Sequence, residues 1–349
     1  MRAAVVTPTR KAVRTSFLDC ARGRLALMRI PNFALAVLLG LILHFGQADV
    51  AGAQSVPPQQ PIQGPGAPAQ DKGASTFAQV SAGWTTPFPA HLVIGDIYYV
   101  GSAGLASYLI ATPQGHILIN SSLESSVPLI QESVEKLGFK FRDVRILLIS
   151  HAHFDHCAGS ARVKELTGAK YMVMDADVPV VESGGKADFQ YGNLPEALYK
   201  ATKVDRVLQD GDEVKLGGVV LVAHKTPGHT KGCTTWTMKL TDDSRAGGGK
   251  RVDAVIVGSP NVNPGYKLVN NAAYSQIAQD YELMFRVLKA LPCDVFLGAH
   301  GSYYGMEEKF ARVNDAAANP FVDPAGYKSY VAEREAAFRA EWEKQKGNQ

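Results

Sequence analysis

The chain has 349 residues, of which 46% are hydrophobic and 20% charged, with 36 basic and 33 acidic side chains. This composition is typical of a globular protein and excludes an intrinsically disordered, collagen-like or small disulfide-rich chain. The formal net charge of +3 would favour nucleic acid or an acidic membrane as a partner if it were spread over the whole molecule.

The basic residues are concentrated at the amino terminus. Residues 1–53 contain seven basic and two acidic side chains, a charge of +5, which leaves −2 on residues 54–349. The apolar run 33–45 is shorter than the roughly 20 residues of a membrane span, and residues 51–53, Ala-Gly-Ala, form a small-x-small cleavage site. These features predict a secretory signal peptide over residues 1–53, with an uncleaved anchor as the alternative. We also expect that translation starts at Met28, which would make the signal peptide shorter. We therefore expect the mature protein in the periplasm, with no nucleic-acid partner and no stable membrane span.

Two regions follow the predicted signal peptide. Residues 54–80 are rich in proline, glycine and glutamine, which is typical of a flexible linker, and residues 81–349 form the globular domain. Export leaves Cys157, Cys233 and Cys293 in an oxidising compartment, where three thiols cannot all pair within one chain. A disulfide between two of them is one alternative, but we favour Cys157 and Cys233 as small buried packing residues.

The first half of the globular domain contains predicted strands and helices. Runs of β-branched, aliphatic and aromatic residues predict strands at 91–94, 97–100, 107–112, 116–120, 145–150 and 169–174. The turn residues Pro113 and Gly115 predict a hairpin between the third and fourth of these strands. Apolar residues at helical spacing predict helices over 124–137, 157–167 and 176–182.

The second half repeats this plan. Strands are expected at 203–208, 213–224, 233–240, 252–258 and 294–298, and helices over 275–291 and 325–345. Clusters of strands followed by helices, present twice, predict an α/β fold in which two sheets pack face to face with helices outside.

A cluster of polar residues directly follows the predicted strand 145–150. It has the form His151-x-His153-x-Asp155-His156, so four possible ligands lie within six residues. Imidazole and carboxylate are zinc ligands, and α/β sheets bind ligands at the carboxyl ends of strands. A polar loop of hydrogen-bonded histidines is the alternative, but such a cluster is poor core material without a metal.

Two further histidines share this context. His229 and His300 each follow a predicted strand and have glycine neighbours, which let the backbone approach a site closely. Six ligands suit two zinc ions with three protein ligands each, an open arrangement that leaves room for water and is typical of catalytic sites. We therefore predict two Zn²⁺ ions per chain and a hydrolase that cleaves a carbonyl or phosphoryl bond.

This pattern resembles the metallo-β-lactamase superfamily over about residues 80–345. The resemblance implies an αβ/βα sandwich, with two mixed β-sheets, helices on the outer faces and a di-zinc site between the sheets. Residues 257–266 contain neither the acid usual in glyoxalase II, lactonases and nucleases nor the cysteine of the first two β-lactamase subclasses. A second zinc site of one aspartate and two histidines therefore resembles subclass B3. Further segments similar to that subclass are 84–89, 105–110, 182–186, 228–236 and 263–267.

The resemblance implies a role for each ligand. His151, His153 and His229 would bind the first zinc, and Asp155, His156 and His300 the second. A bridging hydroxide, oriented by Asp155, would hydrolyse the β-lactam amide of penicillins, cephalosporins and carbapenems and so confer antibiotic resistance. Tyr266 would donate to the oxyanion, with a packed loop aromatic as the alternative. We expect a monomer that acts on these small molecules.

The chain departs from the family in its substrate contacts. Two serines that often contact the substrate carboxylate align with Pro260 and Val262, whose side chains cannot donate hydrogen bonds. The residues expected to bind substrate instead are Ser259 and Asn261, with Lys231 as a further candidate, and Trp84 and Phe189 at the border of the cleft. The alternative function is a related di-zinc hydrolase, such as a lactonase or a glyoxalase II-like thioesterase. A zinc-binding protein without hydrolytic activity is the third hypothesis.

Overall fold

A computed structural model describes residues 83–244, 246–314 and 317–348 of the chain. The predicted signal peptide, the start at Met28 and the linker lie outside these described residues. Within the described ranges, a seven-stranded and a five-stranded sheet form the centre of the domain. No helix in those ranges combines the length and the apolar character that a membrane crossing requires.

The seven strands of the first sheet lie side by side in chain order. They are β1 (His91–Ile94), β2 (Ile97–Tyr99), β3 (Tyr108–Thr112), β4 (Gly115–Ile119), β5 (Val144–Leu148), β6 (Lys170–Met174) and β7 (Arg206–Leu208). The first four strands are antiparallel, and the last three continue the sheet parallel to β4. The connections between the parallel strands contain α1 (Val127–Lys136), α2 (Phe154–Cys157), α3 (Ser160–Thr167) and α4 (Val178–Glu182).

The second sheet has the strand order β12-β11-β10-β9-β8. Its strands are β8 (Glu213–Leu216), β9 (Val219–Lys225), β10 (Thr234–Asp242), β11 (Lys250–Val257) and β12 (Val295–Gly298). All neighbours are antiparallel except β11 and β12, whose parallel pairing requires the long crossover that contains α5 (Ile277–Ala290). The chain ends with α6 (Met306–Phe310) and α7 (Pro324–Gly347).

The core lies between the two sheets and beneath the helices on either side. Alternate residues of one strand point to opposite faces, so Ile110 of β3 packs in the cluster that also contains Trp236 of the second sheet. Its neighbour Leu109 packs on the other face, in a cluster with Val134 of α1. Helices therefore cover the outer faces, and the predicted αβ/βα sandwich of two mixed sheets is confirmed.

Two predicted elements differ from the structure. The strand expected over 213–224 is a hairpin of β8 and β9, because Gly217 and Gly218 both have positive φ, +55° and +93°, and turn the chain back. The helix expected over 157–167 begins at Ser160, after the separate short helix α2.

The cysteines confirm the packing interpretation for two of the three thiols. Cys157 and Cys233 are buried and unpaired, and Cys293 is a half-buried free thiol, so none of the three forms the disulfide that the sequence left open.

The turn between β8 and β9 allows a test of the corrected hairpin. A Cβ at Gly217 would overlap the Thr112 side chain, whereas Gly248 has nearly the same φ, +57°, and open space around it. We expect Gly248→Ala to lower the free energy of unfolding by about 1 kcal/mol through left-handed strain alone. Gly217→Ala should cost about 1–3 kcal/mol more, because overpacking is added to the same strain. Urea unfolding of both variants measures the difference, and equal losses would contradict this packing.

Candidate metal centre

Four chain segments that follow strands meet at one place. The 151–156 loop follows β5, the turn with His229 follows β9, the 258–266 loop follows β11, and His300 follows β12. The two sheets are joined beside this place, because the Trp236 indole on β10 donates to the Ile149 carbonyl at 3.1 Å. Both sheets therefore contribute to a single site.

The first group of side chains contains His151, His153 and His229. Their potential ligand atoms all lie within 4.8 Å of one another, and all three residues are buried. The ring centroids are 4.6–4.9 Å apart, and the ring planes stand nearly perpendicular. The structure thus brings together the three residues that the sequence assigns to one metal.

The second group contains Asp155, His156 and His300. The His156 Nε2 atom is 3.1 Å from Asp155 Oδ2 and 3.1 Å from His300 Nε2, and His300 Nε2 is 3.6 Å from the carboxylate oxygen. Zinc bonds of about 2.0–2.1 Å at tetrahedral angles place two ligand atoms ~3.3 Å apart. The spacing of this group therefore fits one zinc ion.

His151 connects the two groups. Its ring centroid is 4.2 Å from that of His156, and its ligand atom also lies within 4.8 Å of those of Asp155 and His156. Two metals held by the two groups would consequently be close neighbours, as two-metal hydrolytic sites require.

Burial controls the charge state of the cluster. Burial, together with the neighbouring imidazoles, lowers the pKa of His151 far below its ordinary value and that of His300 to about 4. Burial also lowers the pKa of His229. For Asp155, burial alone would raise the pKa, but His156 and the other histidines lower it below its ordinary value. Neutral imidazoles and an ionised carboxylate are the forms that bind metals, so the residues present fit zinc.

Hydrogen bonds to the backbone orient two of the ligands. His229 donates from Nδ1 to the Asn261 carbonyl at 2.8 Å, and His300 donates from Nδ1 to the Gly104 carbonyl at 3.1 Å. Each bond leaves Nε2 as the nitrogen that faces the site. Gly228 directly precedes His229 and has a φ of +133°, and a Cβ at this position would overlap the Tyr281 ring. The turn that carries His229 therefore requires glycine here.

Two buried polar residues that the sequence analysis did not identify hold the ligand loops. Asp177 accepts from the Ala152 amide at 2.9 Å, the Thr230 hydroxyl at 2.8 Å and the Gly232 amide at 2.8 Å. It therefore joins the 151–156 loop to the turn that carries His229. Burial raises the pKa of this carboxyl to about 6, although the three donors oppose the shift.

Asn120 is the second of these residues. Its Oδ1 accepts from the Ser150 amide at 2.7 Å, and its Nδ2 donates to the Ser150 hydroxyl at 3.0 Å, directly before the first histidine. Asn120 directly follows β4, and Asp177 comes shortly after β6. A polar residue at the carboxyl end of a parallel strand is the signal in the sequence that could have identified both.

Asp188 is a further residue that the sequence analysis missed. Its Oδ2 lies 3.5 Å from His153 Nε2, and its Oδ1 accepts from the amides of Gln190 and Tyr191 at 2.8 and 2.6 Å. Burial alone lowers the pKa of His153, but this carboxylate raises it above the ordinary value. The contact occupies Nε2 and leaves Nδ1 of His153 for a metal. The nearest signal in the sequence is its neighbour Phe189, which is predicted to lie at the border of the cleft.

Tyr266 lies against the first histidine group. Its hydroxyl donates to the His229 carbonyl at 2.8 Å and is 3.5 Å from His153 Nε2, and only 2% of the residue is exposed. Burial raises the pKa of the phenol well above its ordinary value. Its ring also packs against Phe189, with centroids 5.1 Å apart. The tyrosine is thus next to the site and also a packed aromatic.

The predicted substrate-binding residues are distributed around the centre. The Trp84 ring is 6.4 Å from that of His300, and Phe189 packs against Tyr266. Ser259 and Asn261 both contact the Tyr303 hydroxyl, at 3.1 and 2.9 Å.

Lys231 makes contacts of a different kind. Its ammonium donates to the Ala273 carbonyl at 2.9 Å and lies 5.2 Å from the Tyr274 ring centroid. These contacts hold the lysine side chain against the 273–274 segment.

The family model of the metallo-β-lactamase superfamily matches residues 105–300, more than half of the chain. The chain belongs to the metallo-β-lactamase superfamily. The native FEZ-1 metallo-β-lactamase from Legionella gormanii is similar in structure, with a TM-score of 0.73 and 54% identity over 75% of this chain and 98% of FEZ-1. BJP-1, a subclass B3 metallo-β-lactamase of Bradyrhizobium japonicum, has a TM-score of 0.71 and 36% identity over 77% of this chain and 99% of its own.

Curated relatives match shorter segments of the chain. A hydroxyacylglutathione hydrolase of Methylobacterium is 34% identical over 92 residues, which are 26% of this chain and 27% of that protein. A probable metallo-hydrolase of Burkholderia pseudomallei is 32% identical over 123 residues, 35% of this chain and 40% of that protein. The chain therefore spans less than half the length of these two relatives.

The contact between Asp188 and His153 predicts an effect on metal affinity. In Asp188→Asn the amide would place a donor against His153 Nε2, which favours a proton on Nδ1, the nitrogen that would bind the metal. We expect about a 10–100-fold loss of affinity for one zinc, measured by competition with a chromophoric chelator. Asp205→Asn is the matched control, because Asp205 also accepts from a backbone amide but lies beside β7. Equal zinc affinity in both variants would contradict the proposed orientation.

The contacts of Asp177 predict an effect on stability. Asp177→Asn places an amide donor against at least one of the three existing donors, so a buried hydrogen bond is lost. We expect the free energy of unfolding to fall by about 1–3 kcal/mol in urea titration. The exposed Asp243 provides the control, since Asp243→Asn should change stability by no more than about 0.5 kcal/mol. A neutral Asp177→Asn would show that this carboxylate does not hold the loops together.

Proposed function

We propose that this chain is a zinc-dependent β-lactamase of the subclass B3 type, which hydrolyses penicillins, cephalosporins and carbapenems. The observation that carries the proposal is the pair of adjoining ligand groups in a chain that aligns with 98% of FEZ-1 at 54% identity. A periplasmic location, with the first 53 residues as a signal peptide, is part of this proposal because β-lactams act there.

The side chains at the site have different proposed roles. His151, His153 and His229 would hold one zinc ion, and Asp155, His156 and His300 the other. Zinc bound at such sites supplies an activated water at neutral pH and polarises the carbonyl that is attacked. Asp155 stays ionised because its pKa is lowered, so it accepts a hydrogen bond from the attacking water and orients it. Tyr266 is placed to contact an oxyanion only after its bond to the His229 carbonyl is exchanged.

A thioesterase that acts on hydroxyacylglutathione is the second candidate. It is favoured by the short matches to hydroxyacylglutathione hydrolases and by Pro260 and Val262, which replace donors usual in β-lactamases. The β-lactamase proposal is supported over much more of the chain, since the match to FEZ-1 covers 75% of it.

Hydrolysis assays separate these two functions. The purified full chain, loaded with zinc, is assayed against a penicillin, a cephalosporin, a carbapenem and S-lactoylglutathione, with and without a chelator. We expect β-lactam turnover that the chelator abolishes and added zinc restores. Chelator-sensitive cleavage of the thioester alone would replace the β-lactamase proposal with the thioesterase.

One histidine substitution tests the division into two groups. We expect His300→Gln to reduce bound zinc from two ions to one per chain and kcat/KM for β-lactams by at least about a hundredfold, because a metal contributes several kcal/mol to the transition state. His224→Gln is the control, since His224 lies on β9 and contacts the Thr237 hydroxyl at 2.8 Å. Two zinc ions retained in His300→Gln, measured by elemental analysis, would reject His300 as a ligand.

A further inference from the structure

The Tyr281 side chain packs against the turn that carries His229. Tyr281 lies on α5 and is fully buried. Its ring meets Gly228, where an added Cβ would come within 2.8–3.0 Å of three ring carbons. The ring also stacks on Phe338 of α7, with centroids 5.1 Å apart and planes inclined by 21°. Close packing on Gly228 and Phe338 therefore fixes the position of the ring.

The Tyr281 hydroxyl makes a second contact next to His229. It donates a hydrogen bond to the Asn261 carbonyl at 2.6 Å, a short distance for a bond between two oxygens. The same carbonyl accepts from His229 Nδ1 at 2.8 Å, and its two lone pairs can serve both donors. Burial raises the pKa of the Tyr281 phenol well above its ordinary value, so the hydroxyl keeps its proton and remains a donor.

The Asn261 carbonyl lies in an irregular segment. Residues 258–263, all within the described ranges, follow β11 and belong to no strand or helix. The pairing of a sheet therefore does not set the direction of this carbonyl. The Asn261 side-chain amide donates to the Tyr303 hydroxyl at 2.9 Å, which anchors the side chain but leaves the carbonyl to its own partners. The direction of the carbonyl that accepts from His229 consequently depends on Tyr281.

We propose that Tyr281 is a positioning residue of the candidate metal centre, which keeps the His229 ring in its metal-binding orientation. The Tyr281 ring supports Gly228, directly before His229, and the hydroxyl fixes the carbonyl that holds His229 Nδ1. Hydrogen-bond partners of a metal-ligating histidine set its orientation and its affinity for the metal. The inference rests on the proposed role of His229 as a zinc ligand and is independent of the substrate.

A pair of tyrosine substitutions separates positioning from packing. Tyr281→Phe removes only the hydroxyl. Tyr327→Phe is the matched control, because Tyr327 is also buried and its hydroxyl donates to the Leu288 carbonyl at 2.7 Å. Each carbonyl keeps a second donor, His229 in one case and the Leu291 amide in the other.

The two variants should differ in zinc affinity and not in stability. We expect similar losses of stability against urea, because each variant loses one buried hydrogen bond. Only Tyr281→Phe should bind one zinc ion about tenfold more weakly, measured on the full chain by competition with a chromophoric chelator.

The orientation of His229 is followed by NMR on the ¹⁵N-labelled full chain, with and without zinc. The His229 Nδ1–H resonance is assigned by its loss in His229→Gln. In Tyr281→Phe we expect this proton to exchange with water about tenfold faster, because the carbonyl that accepts it is no longer held in place. Tyr327→Phe should leave the exchange rate unchanged.

Equal zinc affinity in Tyr281→Phe and Tyr327→Phe would overturn the proposal. Weaker zinc binding with unchanged exchange at His229 would also overturn it, because Tyr281 would then act on another residue. Absence of β-lactam turnover by the unmodified chain would reject the proposed function instead, while exchange at His229 in the zinc-free chain would still decide the role of Tyr281.

Discussion

Four buried imidazole rings, the half-buried ring of His300 and one buried carboxylate share a single cluster, so partners outside the cluster must orient the ring nitrogens. His229 and His300 are oriented by the carbonyls of Asn261 and Gly104, and His153 by the Asp188 carboxylate. Burial keeps the pKa of His151 and His229 low, so their lone pairs are available to a metal. Burying these imidazoles and the carboxylate without a metal costs free energy, because their polar atoms then lack partners. Hydrogen bonds from neighbouring residues therefore hold each ring in position.

The sandwich of two sheets meets this requirement by placing loops from both sheets at one edge. The 151–156 loop and the turn with His229 come from different sheets, and Asp177 holds them together with three hydrogen bonds. The Trp236 indole adds a further link from the second sheet to the end of β5. The candidate metal ligands are therefore positioned by contacts that also join the two halves of the domain, so the stability of the fold and the geometry of the site depend on the same residues.

The residues that the sequence predicted to bind substrate contact their own neighbours beside the candidate metal centre. The polar groups of Ser259 and Asn261 are directed to the Tyr303 hydroxyl. The Tyr303 ring in turn packs between the rings of His300 and Tyr330, so it links the candidate metal centre to α7.

The sequence by itself determined the superfamily, the candidate metal ligands and most strands and helices, because His151-x-His153-x-Asp155-His156 is a local pattern and the strands and helices follow from short-range periodicity. It also predicted the sandwich, since strands and helices alternate in two sets. Only the tertiary structure showed that 213–224 is a hairpin, and that Asp177 and Asp188 contact the candidate metal ligands and their loops. A carboxylate or a guanidinium looks the same in a sequence whether it is solvated or buried. Its role is decided by partners distant in the chain, and only folding brings these partners together.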